Sequence, residues 1–210
     1  MRVVFATRNR GKLRELVPLF EELALGLELV TIDEVAPDTE LREDAMTFEE
    51  NALAKARQAA AATGLPALAD DSGLEVDALQ GRPGVHSARY ARDGASDAEN
   101  LARLMAELAA VPLPQRAARY QCVIVWLRGP ADAAPLVATG TWEGHIALAP
   151  RGSGGFGYDP VFVPAGGERT AAELPAAEKN AVSHRGLAAR ALLAQLHAAG
   201  LAPPAYIRAP

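Results

Sequence analysis

Apolar positions along the chain fall into short clusters divided by polar turns, and their spacing switches between the two periods that mark strands and helices. Arg2–Ala6 predicts a strand, Thr7–Gly11 a polar turn, and Lys12–Leu23 a helix whose Leu13, Leu16, Val17 and Phe20 share a face. Leu27–Ile32 predicts a second short strand. The stretch Asp33–Ala45 then sets Asp33, Glu34, Asp38, Glu40, Glu43 and Asp44 against one arginine, Arg42, and reads as a surface loop able to offer a metal ligand. Thr47 and Glu50 have the spacing of a capping box and open an alanine-rich helix to about Thr63, closed by Gly64 and Pro66. Asn51 and Lys55, four apart, lie on one side of it.

Ala67–Ala69 predicts a short strand that ends at Asp70-Asp71-Ser72-Gly73, which puts the adjacent carboxylates at a strand end. Gly81–Gly84 is a turn-rich loop, and Ser96 with Glu99 caps a helix to about Leu108. Arg119–Leu127 and Leu136–Trp142 predict two long strands, antiparallel members of a mixed sheet. The glycine-rich loop Arg151–Pro160 precedes a brief strand, Val161–Val163. Ser183 caps a last helix whose Leu187, Ala191, Leu192 and Leu196 mark its buried face, and the tail from Pro203 reads as peripheral. The 210 residues suit one domain, 1–210, or two lobes of one domain.

Composition narrows the function. Half the residues are apolar, yet no apolar run approaches the roughly 18 residues of a membrane span, and no secretory signal precedes the first strand, so the expected compartment is the cytoplasm. A net charge of −5 without a basic block argues against nucleic acid as the main partner. The single cysteine, Cys122, sits in an apolar run and reads as a buried structural thiol.

Four segments carry candidate chemistry. Thr7-Arg8-Asn9-Arg10-Gly11-Lys12 joins a strand to a helix N-terminus, where free backbone amides and the helix dipole favour phosphate. Asp70-Asp71-Ser72 offers hard oxygen ligands for Mg²⁺ and a proton acceptor. Gly154–Pro160 combines glycines with Phe156 and Tyr158, whose rings can face a purine or fold into the core, and Asp159 can bond a base or sugar or hold the loop. Lys179, His184 and Arg185 cluster near the last helix, where they can meet phosphate or a purine carbonyl.

In this order the motifs resemble the inosine triphosphate pyrophosphatase family: Thr7, Asn9 and Lys12 in the first loop, Ala69–Leu74, Gly81–Tyr90, Gly155–Pro160 and Glu178–Arg185. The resemblance covers nearly the whole chain. It implies an α/β fold, elongated and two-lobed around a central mixed sheet with a deep nucleotide-binding cleft, and a homodimer. It implies hydrolysis of noncanonical purine nucleoside triphosphates such as ITP, dITP and XTP to the monophosphate and pyrophosphate, with Mg²⁺ as cofactor. The implied substrate contacts are Thr7, Arg8, Asn9, Arg10, Gly11, Lys12, Lys55, Ser72, Phe156, Gly157, Tyr158, Asp159, Lys179, His184 and Arg185, with Arg8 and Arg10 acting through backbone amides. Asp70, Asp71 and Glu43 are the implied metal ligands, with Glu40 or Asp44 as alternatives to Glu43, and Asp71 is the chosen base. A pyrophosphatase for modified pyrimidine or methylated nucleotides and a nucleotide-binding regulatory module are the competing readings; the adjacent aspartates argue against the latter.

Overall fold

The computed structural model describes residues 1–22 and 27–201, so Leu23 and the tail from Pro203 lie outside the described residues. The described chain orders β1 (Arg2–Phe5), α1 (Arg10–Glu22), β2 (Glu28–Thr31), α2 (Ile32–Val35), α3 (Phe48–Thr63), β3 (Ala67–Val76), α4 (Asp97–Glu107), β4 (Ala117–Leu127), β5 (Leu136–Ile146), β6 (Phe162–Pro164), α5 (Ala176–Val182) and α6 (His184–Ala198). The strands form one open sheet in the order β2-β1-β3-β4-β5-β6. β1 pairs in parallel with β2 and β3, whereas β5 and β6 are antiparallel, so the sheet is mixed and the fold is α/β as expected. The chain divides into two compact units, Met1–Asp71 with Val123–Gly140 and Arg185–Pro210, and Ser72–Cys122 with Thr141–His184. β3, β4 and β5 each run from one unit into the other.

In the first unit β1 lies between two parallel neighbours, and its Val3, Val4 and Phe5 are fully buried, which is why the strand is a continuous apolar run. α3 covers the sheet with a stripe of small side chains, Ala52, Ala56, Ala59 and Ala60, packed with Val4, Ala6, Val123 and Val125. The expected caps are present: the Thr47 hydroxyl accepts from the Glu50 amide at 3.2 Å, and Gly64 closes the helix at φ +70°, a conformation cheap only for glycine. On α6 the buried apolar positions are Ala188, Ala189, Leu192 and Leu196, while Ala191, expected on that face, is only half-buried and Leu187 is exposed. Helical geometry, three to four residues between buried positions, puts Leu187 off that face, contrary to expectation.

The second unit has its own core of Leu74, Val76, Leu104, Leu108, Tyr120, Trp142, Ile146, Tyr158 and Phe162. Ser96 and Glu99 complete both halves of the capping box that starts α4. Past the end of α4, the buried Arg116 guanidinium donates to the carbonyl of Leu108, the C-cap residue, which the helix end leaves open, and to the loop carbonyls of Val111 and Ala147. Cys122 is buried, as expected of a structural thiol.

Candidate active site

The aspartate pair lies within β3, not at a strand end, because the strand continues to Val76. Aspartate, serine and glycine suggest a turn when read by type, but these carboxylates are buried against cations, which removes the incentive to leave the sheet. β1 runs beside β3 only as far as Leu68, whose carbonyl accepts from the Ala6 amide. Two residues further on, the Asp70 carbonyl accepts instead from Lys55 Nζ at 2.6 Å and Lys12 Nζ at 3.4 Å. The ammonium groups thus replace the missing strand, and the early stop of β1 is what opens the position.

Around this point the first unit assembles three cations, Lys12, Lys55 and Arg185, and four carboxylates, Asp70, Asp71, Glu43 and Glu15. Lys12 Nζ is 2.9 Å from Asp70 Oδ2 and 4.0 Å from Asp71 Oδ1. Lys55 Nζ is 3.6 Å from Asp71 Oδ1 and also pairs with Glu43, which brings that residue of the acidic loop into the cluster. Arg185 lies 3.8 Å from Asp70 Oδ2 and donates to Glu15 Oε2 at 2.8 Å. Asn51, one turn before Lys55 on α3, donates to Asp71 Oδ2 at 3.1 Å while its own Oδ1 accepts from the Ala45 amide.

The two aspartates differ electrostatically. Burial pushes the Asp70 carboxyl up, but Lys12, Arg185 and Lys55 outweigh it and hold it below the usual range. Asp71 ends above that range: burial raises it, Lys55 and Lys12 pull it down incompletely, and Glu43 and Asp70 add repulsion. Burial opposes the charge of Glu43 too, but Lys55 outweighs it and the carboxyl is lowered. Burial likewise works against the charge of Lys55, yet Asp71, Asp70 and Glu43 keep it raised and cationic. Asp70 is a fixed anion, and Asp71 is the carboxylate that takes a proton more readily.

The loop before α1 departs from expectation in one respect. Its helix-start amides are not all open, since Asn9 Oδ1 accepts from the Gly11 and Lys12 amides at 2.8 and 3.1 Å, the action of an N-cap. Thr7 Oγ1 accepts from the Asn9 amide. Arg8 turns to the acidic loop, donating to Asp33 at 2.7 Å and to the Pro37 carbonyl, and Arg10 is exposed on the first turn of α1. Lys12 is the side chain of this loop that joins the cluster.

A second group forms within the second unit. Asp159 Oδ2 accepts from Lys179 Nζ at 2.5 Å and from the Phe156 amide at 2.9 Å. Lys179 also lies over the half-buried Phe156 ring, 5.6 Å from its centroid. Gly155 has φ +69°, and a Cβ there would collide with the Asp159 carboxylate, so the turn and the carboxylate require each other. The Gly157 amide donates to Asp97. Tyr158 takes the core alternative: it is buried and its hydroxyl donates to the Ser87 carbonyl. The His184 ring is buried against Tyr120. Ser72 follows Asp71 on β3, half-buried.

A family model described as the Ham1 family matches residues 3–195. The chain belongs to the Ham1 family. The dITP/XTP pyrophosphatase of Shigella flexneri is 52% identical over 193 residues, covering 91% of this chain and 96% of that protein. The dITP/XTP pyrophosphatase of Methylococcus capsulatus is 52% identical over 198 residues, covering 94% and 96%. Among solved structures, a Ham1 protein of Coxiella burnetii is 45% identical with a TM-score of 0.85, covering 94% of this chain and 99% of that one.

Within this Ham1 chain, residue-type reasoning passed over Glu15, which holds Arg185, and gave no role to Asn51, which holds Asp71. Both had a faint signal: Asn51 is a poor helix former inside an alanine-rich helix, four residues from Lys55, and Glu15 falls one turn after Lys12. The motif Gly81–Tyr90 serves as scaffold in the second unit. Ser87 Oγ accepts from the Leu74 amide, and the Tyr90 hydroxyl donates to Glu107.

Proposed function

We propose that this Ham1 chain is a nucleoside triphosphate pyrophosphatase that hydrolyses ITP, dITP and XTP to the monophosphate and pyrophosphate, keeping these purines out of nucleic acids. The relatives' name, dITP/XTP pyrophosphatase, at 52% identity over nine-tenths of the chain supports the substrate class. The observation that carries the chemistry is the aspartate pair of opposite tendency beside two buried lysines.

The donor set suits a hard divalent cation. Glu43, Asp70 and Asp71 offer only carboxylate oxygens, and Asp71 is crowded by like charges that a cation relieves. Magnesium is our choice, and when bound it supplies neutralisation of triphosphate charge. Among the described residues no group of three or more His, Cys, Asp and Glu side chains is arranged to hold a metal ion.

In this reading Lys12 and Lys55 offset the charge that develops on the phosphates, their ammonium groups already fixed by Asp70 and so needing little reorganisation. Asp71 accepts the proton of the water that attacks the α-phosphorus, and Asn51 holds its carboxylate in place. Pyrophosphate leaves toward the lysines. On the base, Lys179, oriented by Asp159, donates to the 6-keto oxygen; an amino group there faces a donor with a donor, which disfavours ATP. A homodimer working in the cytosol completes the proposal, and no helix among the described residues is long and apolar enough to cross a membrane.

The test is pyrophosphate release from ITP, dITP, XTP, GTP and ATP with Mg²⁺ and with chelator. Metal-dependent release confined largely to ITP, dITP and XTP supports the reading, and preference for ATP or for pyrimidine nucleotides overturns it.

A further inference from the structure

Tyr120 lies on β4 and is 7% exposed. Its ring stacks on His184 with centroids 4.6 Å apart and planes 7° from parallel. Trp142 continues the stack 6.3 Å from each of these rings, and Phe162 closes against Tyr120 at 4.7 Å, tilted by 58°. The Tyr120 hydroxyl donates to Asp159 Oδ1 at 3.3 Å, and the other oxygen of that carboxylate receives Lys179 Nζ and the Phe156 amide. One side chain therefore touches both His184 and Asp159, by different atoms and different forces.

We propose that Tyr120 is a positioning residue for purine recognition: its ring fixes the plane of the His184 imidazole, and its hydroxyl fixes the Asp159 carboxylate that aims the Lys179 ammonium. This deepens the function proposed above and rests on it. A residue needed only for apolar filling has no use for a buried hydroxyl, whose desolvation is offset only when it finds a partner. Here the partner is the carboxylate on which the loop turn and the lysine both depend. Asp159 gripped from both oxygens has little freedom to rotate, so Lys179 meets a keto oxygen at a fixed direction. Without the hydroxyl, the ammonium direction spreads and the distinction between a 6-keto and a 6-amino purine weakens.

Tyr120→Phe separates the two contacts, because it keeps the ring and removes the hydroxyl. We expect its kcat/KM ratio for ITP over ATP to fall about three- to tenfold, the scale of one ordinary net hydrogen bond, with the loss mainly in KM. Tyr120→Leu, which also releases His184, should lower the ratio further. In a Lys179→Met background Tyr120→Phe should no longer change it, since the route through Asp159 has lost its end point. A purely structural Tyr120 predicts a lower melting temperature and an equal loss for both nucleotides. An unchanged ratio in Tyr120→Phe overturns the proposal, whatever happens to stability or to the leucine variant. So does an effect that persists without Lys179. If the unaltered protein releases no pyrophosphate from ITP, the functional reading falls first and this one with it.

Discussion

Asp70→Asn and Asp71→Asn are the same chemical change at adjacent positions, and the surroundings of the two carboxylates give them different consequences. Asp70 is fully buried, 2.9 Å from Lys12, near Arg185, and held below the ordinary carboxylate value of 3.8. Removing its charge leaves buried cations short of a counter-ion, a loss of about 3–5 kcal/mol for a broken buried pair. Each kcal/mol shifts the melting of a chain of this size by about 2–4 °C, so Asp70→Asn should melt roughly 6–20 °C lower at neutral pH. Asp71 is held above 3.8, so its ionised form is disfavoured by the fold, and an asparagine oxygen can still accept from Asn51. Asp71→Asn should therefore stay within about 1 kcal/mol of the parent or gain slightly. The pH dependence has opposite signs. The contribution of Asp70 is present above 3.8 and lost as pH falls through its lower folded value, whereas the advantage of Asp71→Asn exists at neutral pH and disappears as pH falls through the raised value of Asp71. Thermal melts in chelator, from neutral pH downward, measure both. An Asp71→Asn protein destabilised as much as Asp70→Asn refutes the electrostatic division.

Other consequences follow from the same contacts. Lys55→Gln removes the strongest attraction on both Glu43 and Asp71, so their carboxyls rise and the acid limb of the pH–rate profile should move to higher pH, with turnover down by about two orders of magnitude. Gly155→Ala should lower ITP affinity and cost at least about 1–2 kcal/mol, seen by titration and melting, since the residue needs φ +69° and its Cβ meets Asp159. Tyr90, raised to about 12 by burial and by Glu107, gives a contribution present below the ordinary 10.0 and lost as pH rises through about 12; Tyr90→Phe should cost about 1 kcal/mol with unchanged turnover at neutral pH. Chelation should abolish pyrophosphate release from the unaltered enzyme, and added Mg²⁺ should restore it.

Much of the fold was readable because the relevant forces are local. Apolar runs located β1 and β4, and Thr47, Gly64, Ser96 and Glu99 mark helix ends through bonds made within a few residues. The course of β3 through Asp70 and Asp71 was not readable. Its stability there depends on Lys12 and Lys55, separated from Asp70 by 58 and 15 positions, and no window around the aspartates contains that compensation. The same holds for the candidate site. Residue types picked out Lys12 and the aspartates, and the family resemblance added Lys55 and Glu43, but the opposite tendencies of Asp70 and Asp71 come from which cations reach each one. At Tyr158 the residue type left two alternatives open, a face for a base or a place in the core, and the tertiary contacts decide for the core, with the hydroxyl tied to Ser87.

The central claim is that water activated beside Asp71 attacks the α-phosphorus of a noncanonical purine triphosphate. Hydrolysis of dITP in heavy-oxygen water, followed by mass spectrometry of both products, tests it most directly. The account predicts one solvent oxygen in dIMP and none in pyrophosphate, with no product formed by Asp71→Asn. Label in pyrophosphate, release of orthophosphate as the first product, or parent-like turnover by Asp71→Asn would contradict it.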